Sequence, residues 1–208
     1  MHLKTIQASA IRSVFEVLKD IINDVNIYFT RTGVRILSLD TARVTLINMH
    51  LGAENFEEYD CPNEITAGLN IGNTHKLLKT VSNNDTLTIN IENRDFMELI
   101  IENTVKKSVT KFSLKLLDIN DDILEVPEIA MDVLTTIPSV DFQRITRDMG
   151  NLSDYISIFR DGTTLELSCL GDFANQKTVI EYPEEVARTG NMFSLKYINM
   201  FTKATGMC

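Results

Sequence analysis

One pattern recurs four times along this chain: an amphipathic helix, a short polar break, then alternating strands. The first helix is SAIRSVFEVLKDII, with Ile11, Val14, Phe15, Leu18, Ile21 and Ile22 at helical spacing. It leads into NIYFTRTGVRILSLDTARVTLINMHL, where alternation and Gly33 predict strand, turn, strand, strand. A second helix, NTHKLLKTV, has Leu77, Leu78 and Val81 as its apolar side and Asn73 as a candidate cap, with TLTINIEN and MELIIEN as strands after it. A third, VDFQRITRDM, follows Pro138-Ser139 and offers Phe142, Ile145 and Met149 to a core. YISIFRDGTTLELSCLG then reads as a hairpin turning at Asp161-Gly162. The fourth helix, FSLKYINMFTKAT, carries Leu195, Ile198 and Phe201 on one face.

Four such units predict an α+β fold of two similar domains with two units each. The boundaries read as 1–115 for the first domain, 116–129 for a connector and 130–208 for the second. At 208 residues and 44% hydrophobic composition the chain can bury a real core. No apolar run approaches the roughly 18 residues of a membrane span, and no membrane partner is expected. The first twenty residues mix acid and base into their apolar stretch, unlike a signal peptide. Cys61, Cys169 and Cys208 are widely spaced and odd in number, which fits a reducing compartment better than a disulfide framework or a zinc site.

The net charge is -9, with a sequence pI near 4.8. An acidic chain binds nucleic acid only where its positive charge is segregated. The helices show such segregation. Arg12 and Lys19, Lys76 and Lys79, Arg144 and Arg147, and Lys196 and Lys203 are each spaced to share one side of their helix. On the last three helices that side lies opposite the apolar stripe. On the first it is a flank, near Glu16 and Asp20. Acids gather in connecting segments instead: Glu54, Glu57, Glu58 and Asp60, then 118–128, then Glu181, Glu184 and Glu185. Solvated amphipathic helices often carry Lys and Arg. Four basic helices in an acidic chain also fit a surface that tracks phosphates without reading bases.

Catalytic signatures are lacking in the sequence. GLNIG has the wrong spacing for a dinucleotide fingerprint, and His2, His50 and His75 stand apart from any triad pattern, His75 reading as a surface residue. Asp118, Asn120 and Asp122 match the first positions of a calcium loop, but Ile123 and Ile129 stand where its glycine and glutamate belong. Neither metal nor cofactor is expected, nor an enzyme. The stretch LDINDDILEVPE sets apolar side chains among acids in a connector. It reads either as packing onto the first domain or as a dock for a peptide with aromatic anchors and basic flanks.

The segments LKDIIND, TGVRILSLDTARVTL, LKLLDINDDILEVPE, IPSVDFQRITRD and KYINMFTKAT, in this order and at these spacings, resemble the proliferating cell nuclear antigen family of DNA sliding clamps. The resemblance runs over essentially the whole chain. It implies a homotrimeric ring around duplex DNA, with helices lining the channel, sheets outside, and polymerase processivity as the function. Carried over by position, the channel cations are the eight residues named above, contacting DNA without sequence preference. The strand around Val109 to Lys115 would pair with Lys177 to Tyr182 of a neighbour, with Thr80, Val109, Phe112, Met149, Lys177 and Val179 near the junction. Leu124, Val126 and Pro127, with Leu39, Asp40 and Arg43 opposite, would form the pocket where polymerase, clamp loader, flap nuclease and ligase insert short peptides. The implied location is the nucleus or the replication site of a large DNA virus.

Three departures from the family pattern stand out. Glu125 replaces a usually small residue, so peptide preference is expected to differ. Arg160 stands where eukaryotic relatives carry a lysine that accepts ubiquitin, a linkage arginine cannot form. The family pattern continues past FTKATGMC, so the second domain is expected to lack its last strands. The competing expectation is a clamp-like adaptor that captures clamp partners without encircling DNA.

Overall fold

The computed structural model describes residues 1–120, 124–126, 130–131 and 133–207. They form two compact units, Met1–Val126 and Pro127–Cys208.

The first unit is built from two antiparallel sheets and two helices. Its strands are β1 (His2–Thr5), β2 (Asp24–Thr30), β3 (Gly33–Leu39), β4 (Leu46–Gly52), β5 (Glu58–Asp60), β6 (Ile65–Asn70), β7 (Asp85–Asn90), β8 (Phe96–Asn103) and β9 (Ser108–Lys115). One sheet runs β5-β1-β7-β8-β9 and the other β4-β3-β2-β6. Period-two patterning decides which side chains go inward. Leu87 and Ile89 on β7 and Met97, Leu99 and Ile101 on β8 are buried, as are Ile27 and Phe29 on β2 and Val34 and Ile36 on β3. Both sheets contribute to one apolar core with Phe15 and Leu78 from the helices.

Helix α1 (Ala8–Leu18) follows β1 and α2 (Ile71–Leu78) follows β6, and the two pack side by side. The cap of α2 differs from the sequence reading. Asn70, not Asn73, is the N-cap, and its side chain accepts the Asn73 N–H at 2.9 Å. The reason is register: Ile71 is fully buried and must already lie in the helix. The strands β1, β5 and β6 escaped the sequence reading because they are short and lack clear alternation. Beyond β9, the Leu117 N–H donates to the Gly68 carbonyl at 2.8 Å and the Asn26 amide to the Ile119 carbonyl at 2.9 Å. The start of the connector is thereby sewn to the four-stranded sheet.

The second unit contains α3 (Ser139–Met149), β10 (Tyr155–Leu170), β11 (Asn175–Ser194) and α4 (Leu195–Phe201), then a short 3-10 turn. Pro138 opens α3, where a missing N–H costs nothing, and Asp141 and Arg147 suit the two ends of the helix dipole. Strand β10 does not run straight. A Cβ placed on Gly171, just past its end, would lie 2.2 Å from the carbonyl oxygen of Leu152, just before its start. A straight strand of 16 residues would hold those points about 50 Å apart. β10 therefore doubles back at Asp161-Gly162, the turn read from the sequence, with Gly162 at φ +53. Its second half pairs with 175–181 and its first half with 189–194 of β11. The resulting order, 175–181, 164–170, 155–160, 189–194, repeats the β4-β3-β2-β6 pattern of the first unit. Ile145, Met149, Ile156, Leu165, Leu167, Cys169 and Leu195 form the core here. Among the described residues this unit has no counterpart of the five-stranded sheet, and Phe201 remains 42% exposed.

Candidate nucleic-acid and partner surfaces

The helix cations fall into two groups. Lys76, Lys79, Arg144, Arg147, Lys196 and Lys203 are exposed, the first five on or at the end of α2, α3 and α4 and Lys203 in the 3-10 turn after α4. Three of them are only slightly restrained. Lys76 donates to Asn73 at 3.3 Å, Arg144 pairs with Asp141 at 3.3 Å, and Lys196 lies over the Tyr197 ring at 5.7 Å. Exposed pairs of this kind contribute little and leave the charge available. Arg12 and Lys19 differ. Both are half-buried; Arg12 donates to the Val81 carbonyl, and Lys19 pairs with Asp20 at 2.8 Å. The flank position of Arg12 on α1 accounts for its bond, because that flank meets the segment after α2.

Between α1 and α2 lies His75, only 3% exposed, with neither ring nitrogen hydrogen-bonded. The sequence reading of it as a surface residue is corrected here. It sits on the inward side of α2 with Ile71, Thr74 and Leu78. Burial, first of all, holds its pKa below 6.5; Lys19 and Lys79 act the same way, while Glu16 and Asp20 oppose them.

At the end of β3 a loop is organised by one carboxylate. Asp40 is buried and accepts N–H bonds from Ala42 at 3.2 Å and from Val44 and Thr45 at 2.7 Å each. Arg43 is driven into the left-handed region at φ 57. Leu39 is half-buried, while Arg43 and Val44 are exposed. Of the connector positions, Leu124 is half-buried and Glu125 and Val126 are exposed, whereas Pro127 lies outside the described residues. Asp121, Asp122 and Ile123 lie outside them as well.

The two strands expected to join neighbours are both sheet edges. Among the described residues β9 pairs only with β8, and segment 175–181 only with the second half of β10. Val109 is 57% and Val179 50% exposed; Thr80 is exposed and Phe112 half-buried. Lys177 is tied to Glu166 at 2.7 Å, which holds that carboxyl below its usual range. Met149 does not belong with them. It is fully buried in the core of its own unit and has no surface to offer a neighbour.

One residue carries more structure than its sequence context disclosed. Arg160 is 5% exposed, donates to the carbonyls of Gly162, Thr164 and Glu184, and stacks over Tyr182 at 4.9 Å. A charged residue on a strand's inward face, next to a turn, was the available signal. Among the described residues no group of His, Cys, Asp and Glu is arranged to hold a metal ion.

Antiparallel sheets combined with paired helices that turn lysines and arginines to solvent, in an acidic chain, fit the class of DNA sliding clamps. Comparison with known proteins gives the family. The model of the proliferating cell nuclear antigen N-terminal domain matches residues 1–124, and that of the C-terminal domain residues 125–208. A probable DNA polymerase sliding clamp 1 of Paramecium bursaria Chlorella virus 1 is 38% identical over 219 residues, covering 99% of this chain and 84% of the relative. The proliferating cell nuclear antigen of Chaetomium thermophilum is 32% identical over 214 residues, covering 97% and 83%. The chain belongs to the proliferating cell nuclear antigen family, whose members are non-enzymatic clamps that act as polymerase processivity factors.

Proposed function

We propose that the chain forms a homotrimeric ring around duplex DNA and tethers a replicative polymerase there. The observation that carries this reading is the set of six exposed helix cations in a chain of net charge -9. Diffuse phosphate contact gives no base readout and lets a protein slide. A closed ring needs no tighter grip, since it leaves only by opening or by running off an end. Arg12 and Lys19 contribute at the margin, because both already have partners.

Polymerase, clamp loader, flap nuclease and ligase dock through short peptides beside the connector, against Leu39, Asp40 and Arg43 on one wall and Leu124 and Val126 on the other. An aromatic anchor supplies most of such an affinity. Edge pairing of β9 with 175–181 joins the subunits, satisfying two rows of backbone groups that would otherwise invite aggregation. Thr80, Val109, Phe112, Lys177 and Val179 border that joint. The site of action is the nucleus or a viral replication site.

The test is retention after loading on nicked circular and on linear DNA. A ring stays on circles and is lost from free ends. Equal retention on both would replace this reading with an open, groove-binding one.

A further inference from the structure

Strand β6 has one occupied edge and one open one. It pairs with β2 along its length, and on its other side it meets only the connector among the described residues, through the single bridge of Gly68 with Leu117. On that side the Gly68 carbonyl accepts the Leu117 N–H. Backbone groups two residues apart in a strand point to the same edge, so the N–H and C=O of Thr66 point there too. Neither has a backbone partner on that side among the described residues. The connector does not run on to meet them. It crosses the sheet face instead, where the Asn26 amide donates to the Ile119 carbonyl. Gly68 makes the crossing possible, because a Cβ there would lie 2.2 Å from the Leu117 oxygen.

A groove of about 750 Å³ is left beside Thr66, walled by the turn between β7 and β8 and by the start of the connector. Half-buried Ile65 and Ile119, with Leu117 at 42% exposure, give it an apolar strip. Its exposed charges are Glu64, Glu92, Asp95 and Asp118 against Arg94 alone among the described residues. The wall at Leu39, Asp40 and Arg43 is not part of it.

We propose that this groove receives an extended basic segment of a partner protein, which adds to β6 as a strand at Thr66. Main-chain pairing to an open edge supplies affinity, and alternate side chains supply selectivity. One side of such a strand lays aliphatic residues on Ile65, Leu117 and Ile119. The other carries lysine or arginine to the four carboxylates. Charge selects the occupant: a basic strand is drawn in and an acidic one is repelled. No aromatic anchor is required, which separates this site from the peptide pocket proposed above.

The probe is a short fluorescein-labelled peptide of alternating lysine and valine, titrated into the full chain and followed by anisotropy. It is expected to bind, and the same peptide with glutamate for lysine is not. Glu92→Lys/Asp95→Lys, both on an exposed turn, weakens binding about tenfold or more. Methylating the peptide's backbone nitrogens abolishes binding, because the Thr66 carbonyl then has no donor to accept from. Thr66→Pro removes the outward N–H while the ladder to β2 stands, and it also abolishes binding. Circular dichroism checks the fold of that variant, and the methylated peptide carries the test should it fail. Equal binding of the acidic or the methylated peptide overturns the strand addition. Displacement by an aromatic-anchored peptide merges the two sites and overturns the proposal as well. If the lysine–valine peptide does not bind at all, the carboxylates only guard an open edge against aggregation, and the proposal falls.

Discussion

Arg12 on α1 donates to the backbone carbonyl of Val81, 69 residues on, just past α2. The guanidinium is thereby committed to holding two helices together before it meets any phosphate. A charged donor on a partly buried carbonyl is worth about 1.5–3 kcal/mol. Arg12→Gln is therefore expected to lower the stability of the first unit by about that amount in urea unfolding. Its effect on the salt dependence of DNA retention stays below that of Lys79→Gln. A larger effect on DNA than on stability would return Arg12 to the DNA-contacting set.

The neutral imidazole of His75 ties stability to pH. In the unfolded chain it titrates near 6.5, and in the fold its pKa is lower because burial disfavours the charged form. The unfolded state therefore binds the proton first, so stability is full above pH 6.5 and falls as the pH drops toward the folded value. The slope cannot exceed about 1.4 kcal/mol per pH unit for one proton. The charged groups acting on it are Glu16 on α1, Lys19 and Asp20 just past that helix, and Lys79 at the end of its own helix. His75→Leu, similar in size and with no orphan nitrogens, is expected to flatten that slope in urea midpoints taken from pH 7.5 to 5 without loss at neutral pH. A slope that persists would assign it to the carboxylates.

Much of the architecture was legible because the periods were clean. The stripe of α1, the alternation of β2 and β3, and the Asp161-Gly162 turn are local features, and local sequence determines them. The fate of individual polar residues was not legible. His75 and Lys76 are neighbours in sequence, yet one is buried and one exposed, and only the packing of α1 against α2 decides which. Met149 shows the same limit: its helical phase placed it in a core, and the fold keeps it there rather than at a junction. The eight cations follow from phase alone, but that Arg12 is already engaged depends on Val81, 69 residues along the chain.

Asp40 shapes the loop that carries one wall of the proposed peptide site. With three backbone N–H groups on one buried carboxylate, Asp40→Ala leaves those donors unmet and is expected to cost roughly 2–4 kcal/mol. Binding of an aromatic-anchored, basic-flanked peptide weakens with it. Arg43→Gly relieves the left-handed backbone at φ 57 and is expected to be neutral or stabilising by about 1 kcal/mol. Thermal unfolding and peptide titration by fluorescence anisotropy check both. Full peptide affinity in Asp40→Ala would place the wall elsewhere.

Arg160 is a clasp on the second unit. Replacing it with Met strands the carbonyls of Gly162, Thr164 and Glu184 and is expected to destabilise by roughly 2–4 kcal/mol, read from urea unfolding. Arg160→Lys keeps the charge but not the planar fork that reaches three carbonyls, and recovers only part of the loss. At 5% exposure the position is closed to a modifying enzyme. Arg160→Lys is therefore also expected to be a poor ubiquitin acceptor in a reconstituted conjugation assay, and efficient conjugation would show that the clasp opens.

The decisive electrostatic test uses the exposed cations alone. Lys76→Glu, Lys79→Glu, Arg144→Glu and Arg147→Glu together change the chain's charge by 8 units, four cations becoming four anions, on side chains whose only partners are Asn73 and Asp141 among the described residues. Fold and assembly should therefore survive, as light scattering and urea unfolding would report. The logarithm of DNA affinity against the logarithm of salt loses about 0.9 in slope for each phosphate contact removed. If these four helix positions track the duplex, the salt dependence between about 50 and 200 mM becomes shallow and retention on nicked circles drops even at the lower salt. If retention and slope match the wild type, these helices do not face DNA, and the positive charge serves only the solubility of the helix faces.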